Sequence, residues 1–324
     1  MTSRPQSPEA LFGEAAAGDR TALARLLTLI ERGGEPAREV GRLAAPRAGE
    51  ARTVGLTGAP GSGKSTLTSA IVAHLRERDE EVAVLAVDPS SPFSGGAILG
   101  DRVRMQDHAT DPGVFIRSMA TRGHLGGLAL ATPEAIRLLD ALGRRWILVE
   151  TVGVGQVEVE IAGKADTTVV VVNPGWGDSV QAAKAGLMEV ADVFVINKAD
   201  RSGVDETRRD LQQMLELTVE TGAGRGDGGW RVPIVPTVAS SGDGVADLWE
   251  AITSHQQHAA DSGVLERRRR ARLGDELQEI VVRRLEQRAR EVCTGDRWDD
   301  LIEQVLGGDL DPWSAADNML RTMV

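Results

Sequence analysis

The chain has 324 residues, enough for one large α/β domain with helical extensions or for two domains. Acidic residues outnumber basic ones by 48 to 37, a formal charge of −11, which argues against a nucleic-acid footprint and against binding to an anionic membrane surface. A single cysteine, Cys293, excludes an intramolecular disulfide and a cysteine cage for a metal, and it fits a reducing cytoplasm.

The polar, proline-containing start does not read as a signal peptide, and no apolar run approaches the ~18 residues of a membrane span. Leu11, Ala15, Leu23, Leu26, Leu27 and Ile30 recur at helical spacing, which predicts one or two amphipathic helices broken near Gly18-Asp19. Gly33-Gly34-Glu35-Pro36 predicts a turn, and residues 37–52 a short helix leading into a strand. That strand, Thr53 to Thr57, runs into Gly58-Ala59-Pro60-Gly61-Ser62-Gly63-Lys64-Ser65-Thr66. Leu67, Ala70, Ile71 and Leu75 then follow at helical spacing.

The stretch 58–66 fits G-x-x-x-x-G-K-[ST] between a strand and a helix, the context that this phosphate-binding motif needs. Glycines let successive backbone N–H groups point into one hollow, and the helix N-terminus adds partial positive charge. Lys64 supplies a point charge for the β- and γ-phosphates, and the Ser65 hydroxyl is a ligand for Mg²⁺.

Further apolar runs each end on a polar residue: 82–87 on Asp88, 146–149 on Glu150, 167–172 on Asn173 and 193–196 on Asn197, with shorter runs at 114–116 and 232–235. Such runs separated by helices predict an α/β fold, a mostly parallel sheet flanked by helices, with its ligand edge at those polar residues. Thr132-Pro133 predicts a helix start, with a helix reaching about Leu142. Residues 221–229 hold five glycines and predict a surface loop. A helix follows near Val245 to Ile252. A long charged helix over 264–292 then carries an apolar stripe, Leu273, Leu277, Ile280, Val281, Leu285, Ala289 and Val292, which needs a partner surface. Asp311-Pro312 caps a last short helix. The expected division is a helical extension over 1–50, a nucleotide-binding domain over 51–260 and a helical arm over 261–324.

Asn197-Lys198-Ala199-Asp200 has the form N-K-x-D at a strand end. A carboxylate there accepts both the ring N–H and the exocyclic amine of guanine, so Asp200 favours GTP over ATP. Glu150-Thr151-Val152-Gly153 stands where a D-x-x-G motif is expected, with the acid near Mg²⁺ and the Gly153 N–H near the γ-phosphate. Val154 follows where Ras-like enzymes carry a water-orienting glutamine, which implies slow intrinsic hydrolysis. Asp88 and Asp101 flank a glycine-rich loop and are candidates for the Mg²⁺ shell.

Together these pieces resemble the MeaB/MMAA/ArgK family, P-loop GTPases of the SIMIBI class. The matching stretches are GAPGSGKST at 58–66, VDPSSPFSGGAILGDRVRM at 87–105, RSMATRGHLGG at 117–127, ETVGVGQ at 150–156 and NKAD at 197–200. The resemblance implies a homodimeric GTPase that binds GTP and Mg²⁺. Its client is an adenosylcobalamin-dependent acyl-CoA mutase, methylmalonyl-CoA mutase first among the candidates. The GTPase gates cofactor loading, and the mutase stimulates its hydrolysis. By the same resemblance Lys64, Ser65, Asp88, Asp101 and Glu150 serve phosphate, metal and water. Ala239 and Ser240 back the guanine. Gln181 and Lys184, in a third switch over 174–184, couple nucleotide to client. That switch departs from the family's G-D-E-L-Q string with Gly177-Asp178-Ser179-Val180-Gln181, and Trp176 replaces a small residue, which bears on which mutase is recognised.

Two rival readings are a kinase of periplasmic amino-acid-binding proteins and a nickel metallochaperone. Asp200 argues against the first, and the lack of a His- or Cys-rich segment against the second. The run Arg267–Arg270 reads as a solvated helix face or cross-dimer ion pairs. His255 and His258 lack a third ligand for zinc. His108 and His124 border the switch segments, and His124, which could touch nucleotide or partner, is left unassigned.

Overall fold

In the computed structural model, which describes residues 6–88, 108, 110–120, 125–151, 163–175, 189–221 and 229–321, seven strands form one sheet. They are β1 (Arg52–Gly58), β2 (Val82–Asp88), β3 (Val114–Ala120), β4 (Trp146–Thr151), β5 (Thr167–Val172), β6 (Val193–Asn197) and β7 (Ile234–Thr237). The order is β3-β2-β4-β1-β5-β6-β7, and every neighbouring pair is parallel. Successive side chains alternate between two covered faces, so the strand centres are mostly apolar on both sides, and polar residues gather near the strand ends. Val54 and Leu56 of β1, with Leu148 and Val171 beside them, pack on α4 (Lys64–Arg76) and α7 (Val245–Asp261). On the opposite face, Ala83, Leu85, Ile147 and Val149 pack on α1 (Pro8–Ala16), α2 (Arg20–Arg32), α3 (Gly34–Ala44) and α5 (Leu125–Ala141). Phe194, Ile196 and Val172 meet Leu211 of α6 (Val204–Thr221) on that second face.

The N-terminal stripe is buried as its spacing requires: Leu11, Leu23, Leu26, Leu27 and Ile30 all lie in the core shared with β2 and β4. Ser7 and Asp19 cap the first two helices. Two local expectations are corrected. Of the predicted turn 33–36 only Gly33 is non-helical, because α3 starts at Gly34 and takes Pro36 into its first turn, where a missing N–H costs nothing. Thr132-Pro133 does not start a helix but lies inside α5. Interior proline costs roughly 3 kcal/mol, and burial of Ala131, Ala135, Leu138 and Leu139 against α2 and α3 offsets it.

The chain divides into two units, Met1–Arg269 and Arg270–Val324. The arm helix α8 (Val264–Val292) begins in the first and ends in the second. Its arginine run is not a solvated face at its centre. Arg268 Nη2 lies 2.9 Å from Asp192 Oδ1, and Arg269 Nη2 lies 2.7 Å from Asp166 Oδ2, both carboxylates being buried at the rear ends of β6 and β5. Burial alone would raise the Asp192 carboxyl; His255, with Nε2 3.3 Å away, and Arg268 pull harder and hold it below its ordinary value. Trp230 Nε1 donates to the Asp192 carbonyl at 2.9 Å, and its ring meets that of His255 edge-on. In the second unit, Asp311 caps α10 (Pro312–Leu320), which packs on α9 (Asp296–Leu306). The stripe residues Leu273, Leu277, Val281 and Leu285 are each at least half exposed.

Candidate functional site

The site lies at the carboxyl edge of the sheet, where β1, β4, β5 and β6 end side by side. Chain order reverses here, since β4 pairs on one side of β1 and β5 on the other, the position at which sheets of this kind bind ligands. Residues 58–63 leave β1 as a tight loop and enter α4 at Lys64. Gly58 has φ 142° and its missing side chain makes room for the Val171 carbonyl oxygen. Gly63, with φ 90°, leaves the same kind of room for the Asn197 amide.

Buried within the loop, Lys64 Nζ donates to the carbonyls of Gly58 at 2.7 Å and Ala59 at 3.2 Å, which holds the ammonium against the loop it springs from. Ser65 Oγ donates to Glu150 Oε1 at 2.5 Å, and both residues are buried. Glu150, next to last in β4, is in register with Leu56 of the P-loop strand, so the register itself delivers the carboxylate to the serine.

The N-K-x-D segment ends β6. Asn197 Nδ2 donates to the Ser62 carbonyl at 2.8 Å, while its Oδ1 accepts from the Ala239 N–H at 3.1 Å and from Thr237 Oγ1 at 3.2 Å. In a trans peptide the N–H opposes the C=O, so gripping the Ser62 carbonyl turns the Gly63 N–H the other way. Lys198, at φ 59°, donates from Nζ to the Gly61 carbonyl at 2.6 Å. Asn197 and Lys198 therefore brace the phosphate loop. Asp200, the last member of the motif, is exposed on the turn beyond. Two partners the sequence reading did not assign join this brace. Thr237 closes it from β7, and Asn173 Nδ2 reaches the Gly61 carbonyl at 3.3 Å. Asn173 directly follows β5 and Thr237 ends β7, and a polar residue at a strand's carboxyl end was the available signal for both.

Beside the loop opens a cleft of about 650 Å³. One wall is α4, from Thr66 to Glu77; the other is the turn 239–242 with Val245 and Ala246 of α7; His108 borders it as well. Ala239 and Ser240, expected to back a guanine, thus line the same cleft as Thr66. Gly58, Ala59, Pro60, Gly61, Ser62, Gly63, Lys64, Ser65, Thr66, Glu150, Asn197, Lys198, Asp200, Ala239 and Ser240 all belong to this one edge. Asp101, Gly153, Gln181, Lys184 and Trp176 lie outside the described residues; the backbone of Asp88 ends β2.

A seven-stranded parallel sheet with helices on both faces, a P-loop after its central strand and an N-K-x-D strand end define a P-loop NTPase with the SIMIBI arrangement. The family model described as "Methylmalonyl Co-A mutase-associated GTPase MeaB" matches residues 23–294, and the chain belongs to that family. A Pyrococcus abyssi protein named as a GTPase is 50% identical over 307 residues, 95% of this chain and 94% of that one. The mouse "Methylmalonic aciduria type A homolog, mitochondrial" is 35% identical over 322 residues, with 94% and 76% covered. The solved structure of an LAO/AO transport system kinase shares the fold, with TM-score 0.68 over 100% of this chain and 99% of that one, at 23% identity.

Proposed function

We propose that this chain hydrolyses GTP to GDP and phosphate, slowly by itself and faster with a client. The client is an adenosylcobalamin-dependent acyl-CoA mutase, methylmalonyl-CoA mutase in the first instance, and the chain acts as its cofactor-gating chaperone in the cytoplasm. The observation that carries this reading is the family match over the whole nucleotide domain together with a P-loop braced by Asn197 and Lys198. The names of the family and of the mouse relative support the choice of client.

In this reading the loop N–H groups and the Lys64 ammonium hold the β- and γ-phosphates and stabilise the charge that moves onto them. Water attacks the γ-phosphorus, the bond to the β–γ bridging oxygen breaks, and GDP leaves with that electron pair. Ser65 and Glu150, with hard oxygens 2.5 Å apart at the loop, fit a Mg²⁺ site, with Asp88 and Asp101 as further candidates. When bound, Mg²⁺ neutralises phosphate charge and orients the γ-phosphoryl group. Gly153 serves the γ-phosphate, Asp200 accepts from the guanine edge against Ala239 and Ser240, and Gln181 and Lys184 transmit nucleotide state to the client. The exposed stripe of α8 seats a second copy of the chain.

The test is GTP turnover by the purified protein, alone and with the adenosylcobalamin mutase of the same cell. Stimulation that disappears in Lys184→Ala supports the reading. Unchanged slow turnover with that mutase sinks the client assignment and leaves the GTPase, and transfer of phosphate to a binding protein in its place overturns the chaperone role.

A further inference from the structure

We infer that His108 is the aromatic cover of the nucleoside, closing the base site opposite Ala239 and Ser240. The inference rests on the guanine-nucleotide reading above and adds to it a residue that the motifs do not contain. A purine presents two apolar faces, and a ring packed on one of them contributes roughly 1–3 kcal/mol to binding. The cleft walls offer little for that purpose. Ala70, Ala73, Ala239, Gly242 and Ala246 are small, which makes the cleft a slot without a broad surface.

Only two rings line the slot among the described residues, His74 and His108. His74 stands eight residues beyond Thr66 on α4, roughly 12 Å at 1.5 Å per residue, and its ring is 6.5 Å from that of Trp249, centroid to centroid. His108 is set one helical turn from Thr66. Its Nε2 lies 3.1 Å from both the carbonyl oxygen and the hydroxyl of Ser69. A carbonyl only accepts, so in the neutral ring Nε2 carries the proton and this contact fixes the tautomer. The ring is thereby pinned to α4 at Ser69, close to Thr66, the residue of the P-loop motif that lines the slot. The described phenylalanines Phe12, Phe115 and Phe194 are buried in the packed core, so none of them serves.

Calorimetric titration of the full chain tests this with GDP and, separately, with tripolyphosphate, which has neither base nor sugar. His108→Ala is expected to weaken GDP about tenfold and leave tripolyphosphate unchanged, while His108→Phe, which keeps a ring but not the Ser69 bond, stays within about threefold of wild type for GDP. Unchanged GDP affinity in His108→Ala overturns the inference. So does equal weakening of both ligands, which marks damage to α4, and so does a phenylalanine variant as weak as the alanine one. Failure of the wild-type chain to bind GDP at all overturns the guanine reading itself, and this inference with it.

Discussion

The Ser65 hydroxyl donates to the Glu150 carboxylate at 2.5 Å, joining the first turn of α4 to the last residues of β4 across the P-loop strand. The pair meets because Glu150 stands in register with Leu56, and because each residue is held by a separate secondary element. Glu150→Gln keeps an oxygen that can accept from Ser65 but removes the charge. Single-turnover phosphate release with Mg²⁺ is expected to fall roughly 10²–10³-fold, the range for loss of one positioned electrostatic group, while GDP affinity changes far less. A rate within threefold of wild type removes Glu150 from the chemistry.

Asp200 carries base choice in the proposed site. Asp200→Asn replaces an acceptor pair by an acceptor and a donor, which suits xanthine, whose 2-position bears an oxygen. Relative affinity for XTP over GTP is expected to rise by at least about 10²-fold, since a site built around specific hydrogen bonds discriminates strongly when they are unmet. Parallel titrations with the two nucleotides decide it, and an unchanged preference sinks the role.

Glycine is required where the loop passes β5. Gly58→Ala sets a methyl group on the Val171 carbonyl at φ 142°, and more than about 4 kcal/mol of destabilisation or failure to fold is expected. Gly41→Ala, in mid-α3 with nothing within 4 Å of the new Cβ, is expected to stabilise by about 0.5–1 kcal/mol. Urea midpoints of the two variants should move in opposite directions; movement in the same direction refutes the steric account.

Asp192 makes acid stability a measurable consequence of the buried cluster. Its carboxyl is held below the ordinary value in the folded chain, so the unfolded chain binds more protons as the medium turns acid. The contribution is present above the ordinary carboxylate pKa and is lost as pH falls through the folded one. Asp192→Asn, which leaves Arg268 and His255 facing a neutral group, is expected to cost about 3–5 kcal/mol at pH 7. The gap between wild type and variant should narrow on acidification in urea titrations. A gap independent of pH means that the charge of Asp192 contributes nothing.

The α8 stripe tests the proposed dimer. Leu277 is 55% exposed and Leu285 57%, large apolar side chains on a helix whose other faces are charged. Leu277→Asp combined with Leu285→Asp is expected to convert a dimer to a single chain in light scattering while the thermal midpoint of the nucleotide unit holds. A wild-type chain that is already monomeric at micromolar concentration sinks the proposal.

Much of this protein follows from local sequence alone. The P-loop, the N-K-x-D segment and the apolar strands ending on Asp88, Glu150, Asn173 and Asn197 announce a parallel sheet with a nucleotide edge. Their chemistry depends on residue type and on spacing within a single strand, loop or helix. Leu23, Leu26, Leu27 and Ile30 announce their buried face for the same reason. Tertiary structure alone decided what crosses between segments. Proline at 133 is tolerated because α5 packs on α2 and α3, a compensation invisible in the stretch around it. Asn197 and Lys198 grip carbonyls 135 and 137 residues away, and a contact over that distance has no periodicity to betray it. Arg268 and Arg269 look like a solvated charge run until Asp192 and Asp166 arrive beneath them from two strand ends. Patterns report what a segment must bury or bend, whereas partner identity depends on which strands the sheet sets side by side.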